Sequence, residues 1–306
     1  MAILNFGKSK KAGASRRAAR MLDGYSIEVM PRTASKIEDF REVLPKGTRV
    51  YIAHIEGTPI DEMVATTKRL TDEGFAPMPH VPARLVKDRA ELDLWLKRYA
   101  EEGGATQALV LAGGPKTPAG DFDSSMQLLE TGLFDAHGFG RLHVAGHPEG
   151  NPDIDADGST KLVDDAARWK QDFAERTDAD MAMVTQFAFD AAPVIDWMKR
   201  LDAAGIDLPV HVGIAGPAKL QTLIKFAIAC GVGPSLSVLQ KRAKDVSQLI
   251  RPFEPTAVLE DLAARADELP EGQLAGIHVF PLGGIRAAAD YAARTSDEGG
   301  SASARG

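Results

Sequence analysis

The sequence predicts a closed (β/α)8 barrel, and three observations carry that expectation. Eight short apolar runs recur along the chain, apolar stripes at helical spacing separate them, and glycine, proline or polar residues mark the junctions. Eight strand-helix units within 306 residues suit a closed barrel, since an open doubly wound sheet normally uses fewer strands.

An amphipathic helix over 15–22 leads into the first run, Ser26-Ile-Glu-Val-Met30, which Pro31 closes. The second run is Arg49-Val-Tyr-Ile-Ala-His-Ile55. Thr58, Pro59 and Asp61 then predict a helix start, with a hydroxyl cap, proline in the first turn and an acid near the positive helix end. The third run, Ala76-Pro-Met-Pro-His-Val81, has the weakest strand pattern because two prolines interrupt it. Leu92, Trp95, Leu96 and Tyr99 form the next helical stripe. The fourth to seventh runs are 108–113, 142–147, 181–187 and 209–215. A helix with Leu220, Leu223, Ile224, Ala227 and Ile228 on one face follows. The stretch 231–271 predicts two extra helical segments at the rim before the last run, Gly276-Ile-His-Val-Phe-Pro-Leu282. Residues 1–295 read as one domain, and 296–306, small and polar, as a flexible tail.

Composition narrows the function. With 36 basic and 43 acidic residues the net charge is −7, which argues against a nucleic-acid footprint and for a small-molecule site. The single Cys230 cannot form an internal disulfide, and no Cys/His spacing suggests a metal. No apolar run is long enough to span a bilayer, and the basic first twenty residues lack a secretory pattern. Their Lys and Arg content also admits a transit segment beside the short-helix reading. A cytoplasmic protein, paired as a homodimer through the rim helices, is the expectation.

Barrel enzymes carry their chemistry at the carboxyl ends of the strands. Glu28, flanked by Ile27, Val29 and Met30, is expected to have a raised pKa that suits a general acid, the alternative being an ion pair with a buried arginine. His54 and His80 end the second and third runs, as functional or merely interior histidines. Gly113 and Gly114 let backbone approach a flat ligand or a phosphate, although any tight turn favours glycine. The polar loop Gly146-His-Pro-Glu-Gly-Asn-Pro152 is stiffened by prolines. Gln186 offers a donor and an acceptor to a heterocycle edge, while Phe187 and Phe189 suit packing better than stacking.

Ser26-Ile-Glu-Val-Met-Pro31, Val144-Ala-Gly-His-Pro-Glu-Gly-Asn-Pro152 and Val184-Thr-Gln-Phe-Ala-Phe-Asp190 occur in that order, followed by Gly213-Ile214 and Gly276-Ile-His-Val-Phe280. Together they resemble the methylenetetrahydrofolate reductase family over residues 26 to about 285. The resemblance implies that Glu28 protonates N10 of 5,10-methylenetetrahydrofolate, opening its ring to an iminium that a hydride then reduces. It implies folate contacts at Gln186, Phe189, Leu220 and Arg286. It further implies FAD, held by His54, His80, Gly113, Gly114, Ala145, His147, Asn151, Asp165, Arg168 and Lys170, with NADH or NADPH as co-substrate.

The departures lie mostly on the flavin side. Ala112-Gly-Gly114 replaces Arg-Gly-Asp, His54 a threonine, His147 and Asn151 a tyrosine and a histidine, and Asp172 a common lysine. On the folate side Leu220 replaces an aromatic residue, and Leu282-Gly-Gly-Ile-Arg286 lacks the family's spacing. Two rivals follow: a flavin-free reductase that passes hydride directly from NADH, and a folate-binding barrel that serves a methyltransferase. No Gly-x-Gly-x-x-Gly unit is present to tell NADH from NADPH.

Overall fold

The computed structural model describes residues 17–230, 239 and 252–301, apart from the side chains of 297–301. Eight strands form a closed, all-parallel barrel: β1 Ser26–Val29, β2 Arg49–Ile52, β3 Ala76–Pro82, β4 Gln107–Leu111, β5 Arg141–Gly146, β6 Asp180–Ala188, β7 Val210–Ala215 and β8 Leu274–Phe280. β1 closes on β8, with Ser26 beside His278 and Ile27 beside Val279.

Alternation along each strand sorts the side chains. Ile27, Val29, Val50, Ile52, Val81, Val110, Val144, Val212, Ile277 and Val279 face outward into the layer shared with the helices. Tyr51, Met78, Leu109 and Val184 fill a separate cluster inside the barrel. Both faces are covered, which is why the runs are nearly continuously apolar.

β3 forms despite its prolines. Pro77 and Pro79 share one parity, so their missing N–H groups fall on one side of the strand, and Met78 and His80 keep their donors on the other. β2 ends at Ile52, so His54 lies beyond it. The helix Ile60–Asp72 starts from Pro59 with no side-chain cap; the expected Thr58 hydroxyl cap does not form. The first strand is followed by a single helical turn, Pro31–Ala34.

β6 is bulged between Val184 and Phe187. The Gly213 N–H of β7 donates to Thr185 Oγ1 at 2.9 Å. A Cβ at Gly213 would stand 2.5 Å from the Thr185 carbonyl oxygen, so only glycine permits this approach.

Between β7 and β8 the helix Thr256–Arg265 packs against the helix Ala191–Ala203, as one extra member of the outer layer. The other helical segment expected before β8 falls mostly outside the described residues. Helical residues 17–21 sit close enough to this addition for Arg17 to pair with Asp267 at 2.7 Å. The last helix, Ile285–Ser301, continues past residue 295, so the segment expected as a flexible tail begins as helix; 302–306 lie outside the described residues. Among the described residues no helix is long and apolar enough to cross a membrane.

Candidate active site

Three side chains from three strands converge inside the barrel toward the carboxyl ends of its strands. Glu28 Oε2 lies 3.4 Å from His80 Nε2 and 3.9 Å from His278 Nε2. The carboxylate is 22% exposed, whereas His278 is fully enclosed. Neither imidazole nitrogen has a directed hydrogen-bond partner, so both face the carboxylate as electrostatic neighbours. Ser26 Oγ lies 2.9 Å from His278 Nδ1 and thereby orients that ring.

The expected raised pKa of Glu28 is corrected here. Burial does push the carboxyl upward, but the imidazoles of His278 and His80 outweigh it and hold the group down to about 2. Glu28 is therefore a carboxylate at rest, and the partner is a pair of histidines rather than a buried arginine. His278 is lowered by burial even though Glu28 pulls it upward. The chemistry this allows is proton sharing: a proton arriving at an imidazole is one short transfer from the carboxylate.

An apolar wall adjoins the cluster. Phe280 meets His278 edge-on at 4.7 Å and Phe187 at 5.4 Å. Phe189 and Leu220, both expected at the folate, are buried behind it in one cluster with Phe187, Ala215 and Phe253. Gln186 stands exposed at the β6 bulge, where its Oε1 accepts a 3.2 Å bond from the Phe187 N–H. Arg286 is exposed at the start of the last helix. Cys230 ends the helix Leu220–Ala229 at an exposed position, its thiol pKa raised first by desolvation from the protein around the sulfur and second by the negative charge of Glu28.

The residues expected to hold FAD do not converge in the same way. His54 is turned to the loop and the outer layer: its Nε2 bonds the Thr58 carbonyl at 3.0 Å, and its ring lies 4.9 Å from Trp95. Gly113 has φ +97° and lies tight on Pro82, whereas Gly114 borders open space. Asn151 makes a turn, its Oδ1 accepting the Asp153 N–H. Asp165 and Arg168 are exposed on the helix Lys161–Ala174, 4.0 Å apart. Lys170 is buried on another face of that helix, its Nζ donating to the Ala145 carbonyl at 2.8 Å. Burial lowers its ammonium to about 8, and lowers His147 to about 3 with help from Lys170. Asp155, also buried, accepts the N–H groups of Leu162 and Val163 and pins the loop after β5 to this helix. Asp165 and Arg168 thus point to water while Lys170 is turned inward, so the three do not present one surface to a phosphate and ribityl chain. Among the described residues no cluster of His, Cys, Asp or Glu is arranged to hold a metal ion.

Sequence reasoning quoted His278 only within a motif and passed over Tyr51, His143 and His211, all of which line the barrel interior. The usable signal was local. A histidine between two aliphatic residues on a barrel strand, as in Leu142-His-Val144 or Val210-His-Val212, must point opposite to them, into the lumen.

The arrangement defines a (β/α)8 barrel with a carboxylate-histidine cluster at the strand ends. No family model matches the chain. Among solved structures, an uncharacterized protein from Clostridium thermocellum that binds two copies of 5-methyl-5,6,7,8-tetrahydrofolic acid aligns over 92% of this chain and 97% of its own, at 13% identity and a TM-score of 0.54. A dehydrogenase/reductase from Sinorhizobium meliloti 1021 aligns over 86% of this chain and 96% of its own, at 14% identity and a TM-score of 0.30, below the level of a shared fold.

Proposed function

We propose that this chain binds a reduced folate at the mouth of the barrel and reduces 5,10-methylenetetrahydrofolate to 5-methyltetrahydrofolate with NADH or NADPH. The observation that carries the reading is Glu28 facing His80 and His278 beside the apolar wall of Phe187 and Phe280. A structural neighbour that binds 5-methyltetrahydrofolic acid supports the ligand class. Glu28 takes a proton from a facing imidazole and passes it to N10 of the folate; the C–N bond breaks toward nitrogen and leaves an iminium carbon. A hydride from the nicotinamide completes the methyl group. The protein's task is to hold two flat rings face to face and keep water from the iminium.

Direct transfer from the nicotinamide is favoured over a flavin relay by the scatter of Asp165, Arg168 and Lys170. The test is the visible spectrum of the purified protein together with NADH oxidation dependent on methylenetetrahydrofolate. A colourless protein that turns over without added FAD supports the reading; yellow protein whose activity needs FAD replaces it with the flavin route. A second reading, a folate-binding barrel serving a methyltransferase, is favoured by the resting ionisation of Glu28. Tight folate binding without NADH oxidation would establish that version.

A further inference from the structure

Beneath Glu28 the barrel holds a second set of titratable side chains that the reaction above leaves unused. Tyr51 is fully buried on β2; its hydroxyl hydrogen-bonds His143 Nδ1 on β5, and its ring lies 4.3 Å from that of His278. Ser26, which contacts His278, also acts on the Tyr51 hydroxyl. On the far side, His143 Nε2 is buried without a hydrogen-bond partner, and its ring stands 4.8 Å from His211 at 33°. His211 is the second residue of β7, at the opposite end of the barrel from the strand ends that carry Glu28, and is only partly buried. Its Nδ1 would lie 3.0 Å from a Cβ on Gly276, and Gly276 lines a solvent cleft on that face together with Arg17, Arg20 and Asp267.

We propose that these side chains form a proton path through the barrel, entering at His211 on the amino-terminal face and running through His143, Tyr51, Ser26 and His278 to Glu28. The proposal rests on the reductase reading, in which each turnover consumes one proton while the bound rings cover the upper mouth. Every link is amphoteric: an imidazole accepts at one nitrogen as it donates from the other, and a hydroxyl does both. In the transfer, the His278 Nε2–H bond breaks as Glu28 gains the proton, and His278 Nδ1 is reprotonated from the Ser26 hydroxyl. The shift repeats through Tyr51 to His143; the unpaired His143 Nε2 is reprotonated from His211 when the two neighbouring rings turn toward each other, and water at the lower face supplies the proton to His211. No electrons leave the chain of groups. Burial above all, helped by the charges of Arg49 and Arg141, keeps the imidazoles of His143 and His211 neutral, His211 at about 4. A purely structural core would fill this layer with apolar side chains, as Met78, Leu109 and Val184 do around it, and would not leave a histidine nitrogen unpaired. Tyr51, His143 and His211 are positioning residues for the proton and do not touch substrate.

The test combines steady-state turnover in H2O and D2O with pH-resolved ¹⁵N spectra of the histidines. Tyr51→Phe is expected to lower kcat by about tenfold to a hundredfold, with folate Kd and Tm unchanged and the solvent isotope effect raised. His211→Asn is expected to do the same, with partial rescue by imidazole added to the buffer. Both variants retaining kcat within about twofold of wild type, with an unchanged isotope effect, would overturn the path. If wild-type protein oxidises no NADH with methylenetetrahydrofolate, the reductase reading fails and the spectra decide the path alone. Titration of His211 that moves the His278 resonances, and ceases to do so in Tyr51→Phe, supports the path; independent titrations overturn it.

Discussion

The inner face built from β8, β1 and β3 and the rim built from the β5 loop and the helix Lys161–Ala174 both carry residues that the sequence offers for a ligand site, yet they are organised in opposite ways. On the inner face, Ser26, Glu28, His80 and His278 come from strands locked in register, so their directions are set by the two-residue alternation and they meet within 3.9 Å. On the rim, Asp165, Arg168 and Lys170 lie on one helix, but their spacing sends Lys170 into the protein and the other two toward water. A closed barrel converts sequence spacing into convergence; a helix does so only at three- and four-residue steps.

The sharpest way to break this contrast is Glu28→Gln. Loss of the carboxylate is expected to reduce turnover by about 10²–10⁴-fold with folate binding retained. A variant that keeps more than about a hundredth of the wild-type rate would move the chemistry away from the inner face. Acid titration probes the same cluster through stability. The Glu28 pKa is lowered on folding from 4.5 to about 2, so its contribution is present above the higher value and is lost as pH falls through that window. His211, lowered from 6.5 to about 4, favours folding in its neutral form, and that contribution likewise fades as pH drops below 6.5. Urea unfolding of wild type should therefore weaken progressively on acidification, with His147 adding to the loss between pH 6.5 and about 3, and Glu28→Gln should lose less between pH 4.5 and about 2.

On the rim, Lys170→Met is expected to be neutral or to stabilise by about 1 kcal/mol at pH 7, because it removes a buried ammonium held by one carbonyl. Wild type should also gain stability between about pH 8 and 10.5, where the buried amine has already lost its proton and the unfolded chain still holds it, a gain the variant lacks. Weaker ligand binding with unchanged stability would instead make Lys170 a ligand residue. The smallest effect is expected from Arg168→Ala, within about 0.5 kcal/mol in stability and with no change in nicotinamide affinity measured by calorimetry.

The barrel was legible because a strand covered on both faces must be apolar almost throughout, and eight such runs leave few other architectures. Glu28 and His80 were legible as polar residues that break those runs. The lowered pKa of Glu28 was not, because it depends on distances between strands far apart in sequence: Glu28 and His278 lie 250 residues apart, yet β1 and β8 are neighbours. Thr58 illustrates a local misreading. Its hydroxyl, residue type and position suit a cap, but Pro59 takes that place, and the Thr58 carbonyl anchors His54 instead.

Cys230 carries the chain's one thiol, exposed at the end of the helix Leu220–Ala229 and within electrostatic reach of Glu28. A single environment-sensitive dye can thus be attached without engineering, at a spot where the charge of Glu28 is felt. Fluorescence from that label would follow ring binding and carboxylate protonation in real time, which makes the native molecule its own optical sensor.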